Sequence, residues 1–210
     1  MIKMIRQSLT GLLELKRGLL IVGFVICLCA ASGSTKSVVA QEKPAEPRKT
    51  EEPAVPAARP GDVASIDSII AAVYDVISGP AGKKRDWDRM RSHFVPGARL
   101  IPTGPRPAGG YGSRVLSVED YISSASPFFE KNGFFEREIA RRTETFGHIA
   151  HAFSTYESRN QSDDPKPFQR GINSIQLMND GKRWWIVTIF WQGEDKDNPL
   201  PEKYLEGQKD

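Results

Sequence analysis

The chain has 210 residues, 39% of them apolar and 26% charged, with three histidines, two cysteines and a formal net charge of +3. Residues 1–40 hold five Lys/Arg against one Asp/Glu, a net of +4, so residues 41–210 come to 3 − 4 = −1. That balance excludes a global basic field for nucleic acid, and with both cysteines before residue 30 the rest of the chain has no disulfide, thiolate nucleophile or Cys-held metal.

The N-terminal segment reads as a targeting signal. Lys3, Arg6, Lys16 and Arg17 precede the apolar run Leu19–Ala31, which has signal-peptide length and is short for a membrane span. Val38-Val39-Ala40 fits a cleavage site before Gln41, which predicts export to the periplasm or the outside, with the membrane met only in passing. An uncleaved anchor is the alternative, because the basic region is long and includes Glu14. Neither Cys27 nor Cys29 follows a small residue as a lipoprotein signal needs. Residues 41–61, rich in Pro, Ala, Glu and Lys, bury too little to offset chain entropy and read as a disordered linker. One domain over 62–200 and a polar tail over 201–210 complete the organisation.

Within the domain the elements come in the order α-α-β-α-β-β-β-β. Asp62 or Ser65 caps a first helix with the apolar stripe Ile66, Ile70, Val73 and Ile77, stopped by Gly79-Pro80. Lys83-Lys84-Arg85 reads as a solvated loop. A short helix follows at Asp86–Met90, then a short strand at Ala98–Pro102 and a Gly/Pro loop over Thr103–Gly112. Ser117 and Asp120 form a capping box for a third helix that carries Tyr121 and Phe128 and ends at Asn132-Gly133. Strands are predicted at Phe134–Thr143 and His148–Ser158. The last two strands join at Asn179-Asp180-Gly181, a strong hairpin signal. Helices first and strands after argue α+β: a cone-shaped, curved, mainly antiparallel sheet wrapped around the N-terminal helix, with three helices in all and bulges supplying the curvature.

The helix Ile66–Ile77, the DWDRM segment with its following strand, the Gly-rich loop and the closing run FGHIAHAFSTYES…INSIQL…DGKRWWIVTIFW resemble the nuclear-transport-factor-2-like superfamily, and within it the SnoaL-like bacterial proteins. The resemblance spans nearly all of 62–192. It implies the cone with an interior pocket and, in many members, a homodimer through the sheet. It does not imply one reaction, because that fold carries many. The resemblance to ketosteroid isomerases puts a phenol near Tyr74, but the base position falls at Pro102 and the penultimate strand, Ile172-Asn173-Ser174-Ile175, has no acid. Scytalone-dehydratase-like sites match Tyr74-Asp75 and a strand histidine, yet His148 and His151 differ by an odd number and point to opposite faces.

The residues thus predict an apolar pocket with Tyr74, His151, Ser174 and Gln176 as its polar contacts. His151 lies between Ala150 and Ala152 in mid-strand; Ser174 and Gln176 share a face that meets either solvent or a polar cavity. His93 reads as surface or structural, His148 as exposed. Both faces of Trp184–Trp191 are apolar, so one is expected on the pocket side and the other against a second copy. No cofactor and no metal are expected: the three histidines lack a ligand-spaced carboxylate cluster, and Gly109-Gly110-Tyr111-Gly112 lacks a phosphate-loop setting. The expected function is an exported module binding a small apolar molecule. The alternative is a cofactor-free lyase, isomerase or hydrolase in which His151 moves a proton and Tyr74 donates a hydrogen bond.

Overall fold

A computed structural model describes residues 54–206. The expected signal peptide, most of the linker and the last four residues lie outside them. Within the described residues the elements are α1 (Pro60–Val63), α2 (Ile66–Ile77), α3 (Trp87–Arg91), β1 (Phe94–Pro105), β2 (Tyr111–Ser113), α4 (Val118–Lys131), β3 (Phe135–Phe146), β4 (Ile149–Arg159), β5 (Gln169–Asn179) and β6 (Trp184–Gly193), then a 3-10 turn at Glu202–Tyr204. The three expected helices are present as α2, α3 and α4. The four-residue α1 is additional, because Pro60 sets φ for a first turn that the pattern of apolar residues does not announce.

Ser65, not Asp62, caps α2. Its Oγ accepts from Ser68 N at 3.0 Å while Ser68 Oγ accepts from Ser65 N at 2.9 Å, a reciprocal capping box. Asp62 is used elsewhere. Its carboxylate takes both Nε and Nη2 of Arg89, at 2.7 and 3.0 Å, and Arg89 also pairs with Asp75. Ala58 packs on the core and Arg59 pairs with Asp86 at 2.8 Å, so residues 58–61, at the end of the expected linker, lie against the domain. The loop predicted as solvated divides. Arg85 is buried and donates to the carbonyls of Ile77, Gly79 and Lys83 at 2.6–2.8 Å. It thereby satisfies groups orphaned at the end of α2.

The six strands form one sheet in the order β2-β1-β6-β5-β4-β3. Every pairing is antiparallel except β1 with β6, which is parallel. The sheet curls around α2 without closing. Three register breaks bend it: Phe94/Arg99 in β1, Glu138/Ala140 in β3 and Gln176/Leu177 opposite β6. The extra strand β2 lies in the predicted Gly/Pro loop, where Gly109 and Gly110 take φ of +90° and +71° and return the chain onto β1. The hairpin signal holds, with a four-residue connection in which Asp180 accepts from Lys182 N and Arg183 N.

The break in β6 corrects one expected face. Leu177 pairs with Ile186 and Gln176 with Thr188, which leaves Val187 as the extra residue and inverts the alternation beyond it. Ile186, Ile189 and Trp191 are therefore all buried, while Phe190 remains 45% exposed. The core lies between the concave face and the helices, with Ile69, Ile70 and Val73 of α2 against Ala152, Ile175 and Ile186 and with Phe129 and Phe134 at one end. Ala150 and Ala152 are buried in the same core. On the convex face the chain after β6 runs back across the strands. Thr155 Oγ1 donates to Tyr204 O at 2.6 Å and Phe153 meets the Tyr204 ring, so part of the expected polar tail is docked.

Candidate functional site

Enclosed between α2, α4 and the concave face is a cavity of about 40 Å³. Its walls are Val73 and Ile77 of α2, Met90 of α3, Phe94 and Leu100 of β1, Tyr121 of α4, and Ile189 and Trp191 of β6. Its polar end is built by Glu136 of β3, Tyr156 and Ser158 of β4, and Gln169 and Asn173 of β5. The volume admits a few water-sized groups, well below the usual drug-sized pocket. Aromatic side chains fill most of what the fold could have left hollow. Among the lining residues only Glu136 and Gln169 are not fully buried, so they mark the two approaches from solvent. Glu136 also borders an outside cleft of about 480 Å³ with Glu138, Ser78 and Arg159.

Glu136 is the electrostatic centre of the site. Burial pushes its carboxyl up from 4.5 to about 7; the hydrogen bond from Ser158 Oγ to Oε2, 2.7 Å, and the Asn173 amide pull the other way without offsetting it. The next inward residue of β3, Glu138, is also raised by burial and accepts from Ser154 Oγ at 2.5 Å. Ser154 has one proton to give, so it accepts from Tyr74 at 2.8 Å, and Tyr74 accepts from Asn173 Nδ2 at 2.9 Å. The bonds run in one direction, from Asn173 to Tyr74 to Ser154 to Glu138. Burial raises the Tyr74, Tyr121 and Tyr156 phenols, with Glu136 a further cause in each. All three stay neutral at physiological pH. The hydroxyls of Tyr121 and Tyr156 meet no protein partner among the described residues.

Of the four residues expected at the pocket, Tyr74 is 4% exposed in the core and belongs to the network just described. The other three lie on the convex face. His151 Nε2 is 2.9 Å from Ser174 Oγ, and Gln176, paired with His151 across the strands, is exposed. The three are brought together, but outside the cone. The physical reason is the period of two: Ala150, Ala152, Ser154, Tyr156 and Ser158 share the concave face, and His151, Phe153 and Thr155 the other. On β5 the concave polar residues are Gln169 and Asn173, the latter between Gly171 and Ile175. Glu136, Asn173, Tyr121, Tyr156 and Ser158 were not anticipated. A usable signal was present in the spacing of Glu136 and Glu138, two acids at i and i+2 in an otherwise half-buried strand.

The other histidines divide. His148 is exposed, as expected. His93 is fully buried; its Nε2 stands 3.4 Å from Asp62 Oδ2, its Nδ1 has no partner among the described residues, and burial lowers its pKa. It packs behind α1 and α3 and does not line the cavity. Among the described residues no group of three or more His, Cys, Asp or Glu side chains is placed to hold a metal.

No protein-family model matches this chain, and no curated protein does. Solved structures do. A cystatin-like-fold protein of unknown function from Nostoc punctiforme is similar at a TM-score of 0.48 and 10% identity, over 62% of this chain and 90% of that one. A nuclear-transport-factor-2-like protein from Silicibacter pomeroyi is similar at 0.41 and 12% identity, over 62% and 94%. A third, from Methylobacillus flagellatus and also nuclear-transport-factor-2-like, stands at 0.37 and 16% identity, over 62% and 95%.

Proposed function

We propose that this chain is an exported small-molecule-binding module whose ligand sits in the cavity between α2, α4 and the sheet. The observation that supports this is the make-up of the cavity wall. An apolar and aromatic enclosure carries a few convergent polar groups at one end, and the Tyr121 and Tyr156 phenols there find no protein partner among the described residues. A purely structural core pairs such groups with one another. At about 40 Å³ the closed cavity takes a ligand of few atoms; a larger one enters by moving Gln169, whose amide now holds Arg170 O and Glu194 O at 2.7 and 3.1 Å.

Native mass spectrometry of protein purified from its own host tests the reading. The expected result is a retained small mass that denaturation releases. A bare mass, together with a xenon NMR shift that does not saturate, overturns it, because xenon binds against apolar walls such as those of this cavity.

Proton-transfer catalysis is the second reading, favoured by one observation. A carboxyl pushed up to about 7 inside a cavity is matched to moving protons near neutral pH. Glu136 takes the part that sequence reasoning assigned to His151, and a cofactor-free lyase, isomerase or hydrolase is the class of reaction concerned. We further propose export with cleavage before Gln41, checked by N-terminal sequencing of the mature protein. A homodimer through the convex face around Phe190 completes the reading, checked by sedimentation.

A further inference from the structure

The polar end of the cavity has acceptors and ring faces but no positive charge. Phe94, Tyr121, Tyr156 and Trp191 line the same cavity, and the Tyr121 and Trp191 rings meet almost at right angles, 82° with centroids 6.4 Å apart. In such an edge-to-face pair the positive edge of one ring meets the negative face of the other, which fixes both rings in the cavity wall. Glu136 adds a carboxyl whose Oε2 is held by Ser158 at 2.7 Å, with the Asn173 amide beside it also favouring the charged form. No Lys or Arg lines the cavity. Arg137 and Arg159, which border the outside cleft with Glu136, pair with Glu157, and Arg85 gives its protons to the Ile77, Gly79, Pro80 and Lys83 carbonyls. A buried acid without a cation is an incomplete pair.

We propose that the ligand of this cavity is a small alkylammonium cation, its nitrogen paired with Glu136 and its methyl groups enclosed by Phe94, Tyr121, Tyr156 and Trp191. The proposal rests on the binding reading above and names the ligand class of the same site. Aromatic cages closed by one carboxylate select a cation by charge, and the cavity size restricts it to short substituents. The tyrosines facing Glu136 from three elements are Tyr74 of α2, Tyr121 of α4 and Tyr156 of β4; Glu138 lies two residues along its own strand. None of them supplies a positive charge that an arriving cation would duplicate. Burial holds the Glu136 proton to about pH 7, so a cation binding below that pH must expel it. The proton leaves to solvent, and the carboxylate left behind pairs with the ligand.

The test titrates the full chain with methylammonium and trimethylammonium against the neutral comparators methanol and tert-butanol, followed by NMR and by calorimetry in two buffers of different ionisation enthalpy. The expected result is at least about tenfold tighter binding of the cation than of its comparator at pH 8. At pH 6 close to one proton is released per ligand, and at pH 8.5 almost none. Glu136→Gln abolishes both the charge preference and the proton release while keeping the fold. If a neutral comparator binds as well as the cation, or only neutral molecules bind, the ammonium assignment is overturned and the binding reading stands. If xenon and every probe fail to bind, both fall. Cation binding that survives Glu136→Gln unchanged overturns the assignment, since the carboxyl then plays no part in it.

Discussion

Replacing Glu136 by Gln removes the carboxyl of the cavity and leaves its shape. The amide oxygen can still accept from Ser158, so the hydrogen bond at 2.7 Å is retained. The folded carboxyl titrates at about 7 and the unfolded one at 4.5. Because the folded value is the higher, the stability linked to this group is full below pH 4.5 and is lost as pH rises to about 7, while the unfolded chain sheds a proton that the native state keeps. At 1.36 kcal/mol per pH unit that loss is about 3 kcal/mol, a large share of a typical domain's stability. Glu136→Gln should match the wild type in urea unfolding near pH 4.5 and exceed it by about 3 kcal/mol at pH 8. Tryptophan emission serves as the probe, because Trp191 is buried in the core. A stability difference that stays constant between pH 4.5 and pH 8 refutes the reasoning, for it means that the carboxyl ionises in the native state as it does in water.

Arg85→Met removes the guanidinium over Phe129 and leaves the Ile77 and Lys83 carbonyls without that donor, while Gly79 O keeps Phe134 N, and should cost at least about 2 kcal/mol in chemical unfolding. Gly171→Ala would set a Cβ 2.3 Å from Gln192 O and 2.6 Å from the Tyr156 hydroxyl; a loss of at least about 2 kcal/mol and an altered Tyr156 environment by NMR are expected. Asp62→Asn removes the bidentate partner of Arg89. Its carboxylate is held below its ordinary value chiefly by that hydrogen bond, so the stability it adds is present above pH 3.8 and lost on acidification. The variant should be about 1–3 kcal/mol less stable at pH 7, and thermal unfolding at pH 3 should show a smaller gap. Ser65→Ala, which removes the cap of α2, should cost about 1 kcal/mol by the same measurement.

Much of this architecture was legible residue by residue. The stripe on α2, the capping box at Ser117 and Asp120 and the turn at Asp180 each state a local preference that the fold obeys. What escaped was local too, but conditional. Tyr111–Ser113 becomes a strand only because two glycines return it to the edge of β1. Arg85 reads as solvated until the end of α2 offers it carbonyls. The expected pocket residues separate for a different reason. His151 stood out for its chemistry, yet its neighbours Ala150 and Ala152 mark the buried face, and a histidine between them must point away.

Local chemistry alone thus determined the class of fold and the order of its helices and strands, since periodicity, caps and turns depend on residues near in sequence. Tertiary structure alone decided which polar groups share the interior. Glu136, Tyr121, Tyr156 and Asn173 come from four elements, and only the curvature set by three register breaks points them at one space. Burial there, a property of the assembled sheet and helices, is what turns an ordinary glutamate into a group poised near neutrality.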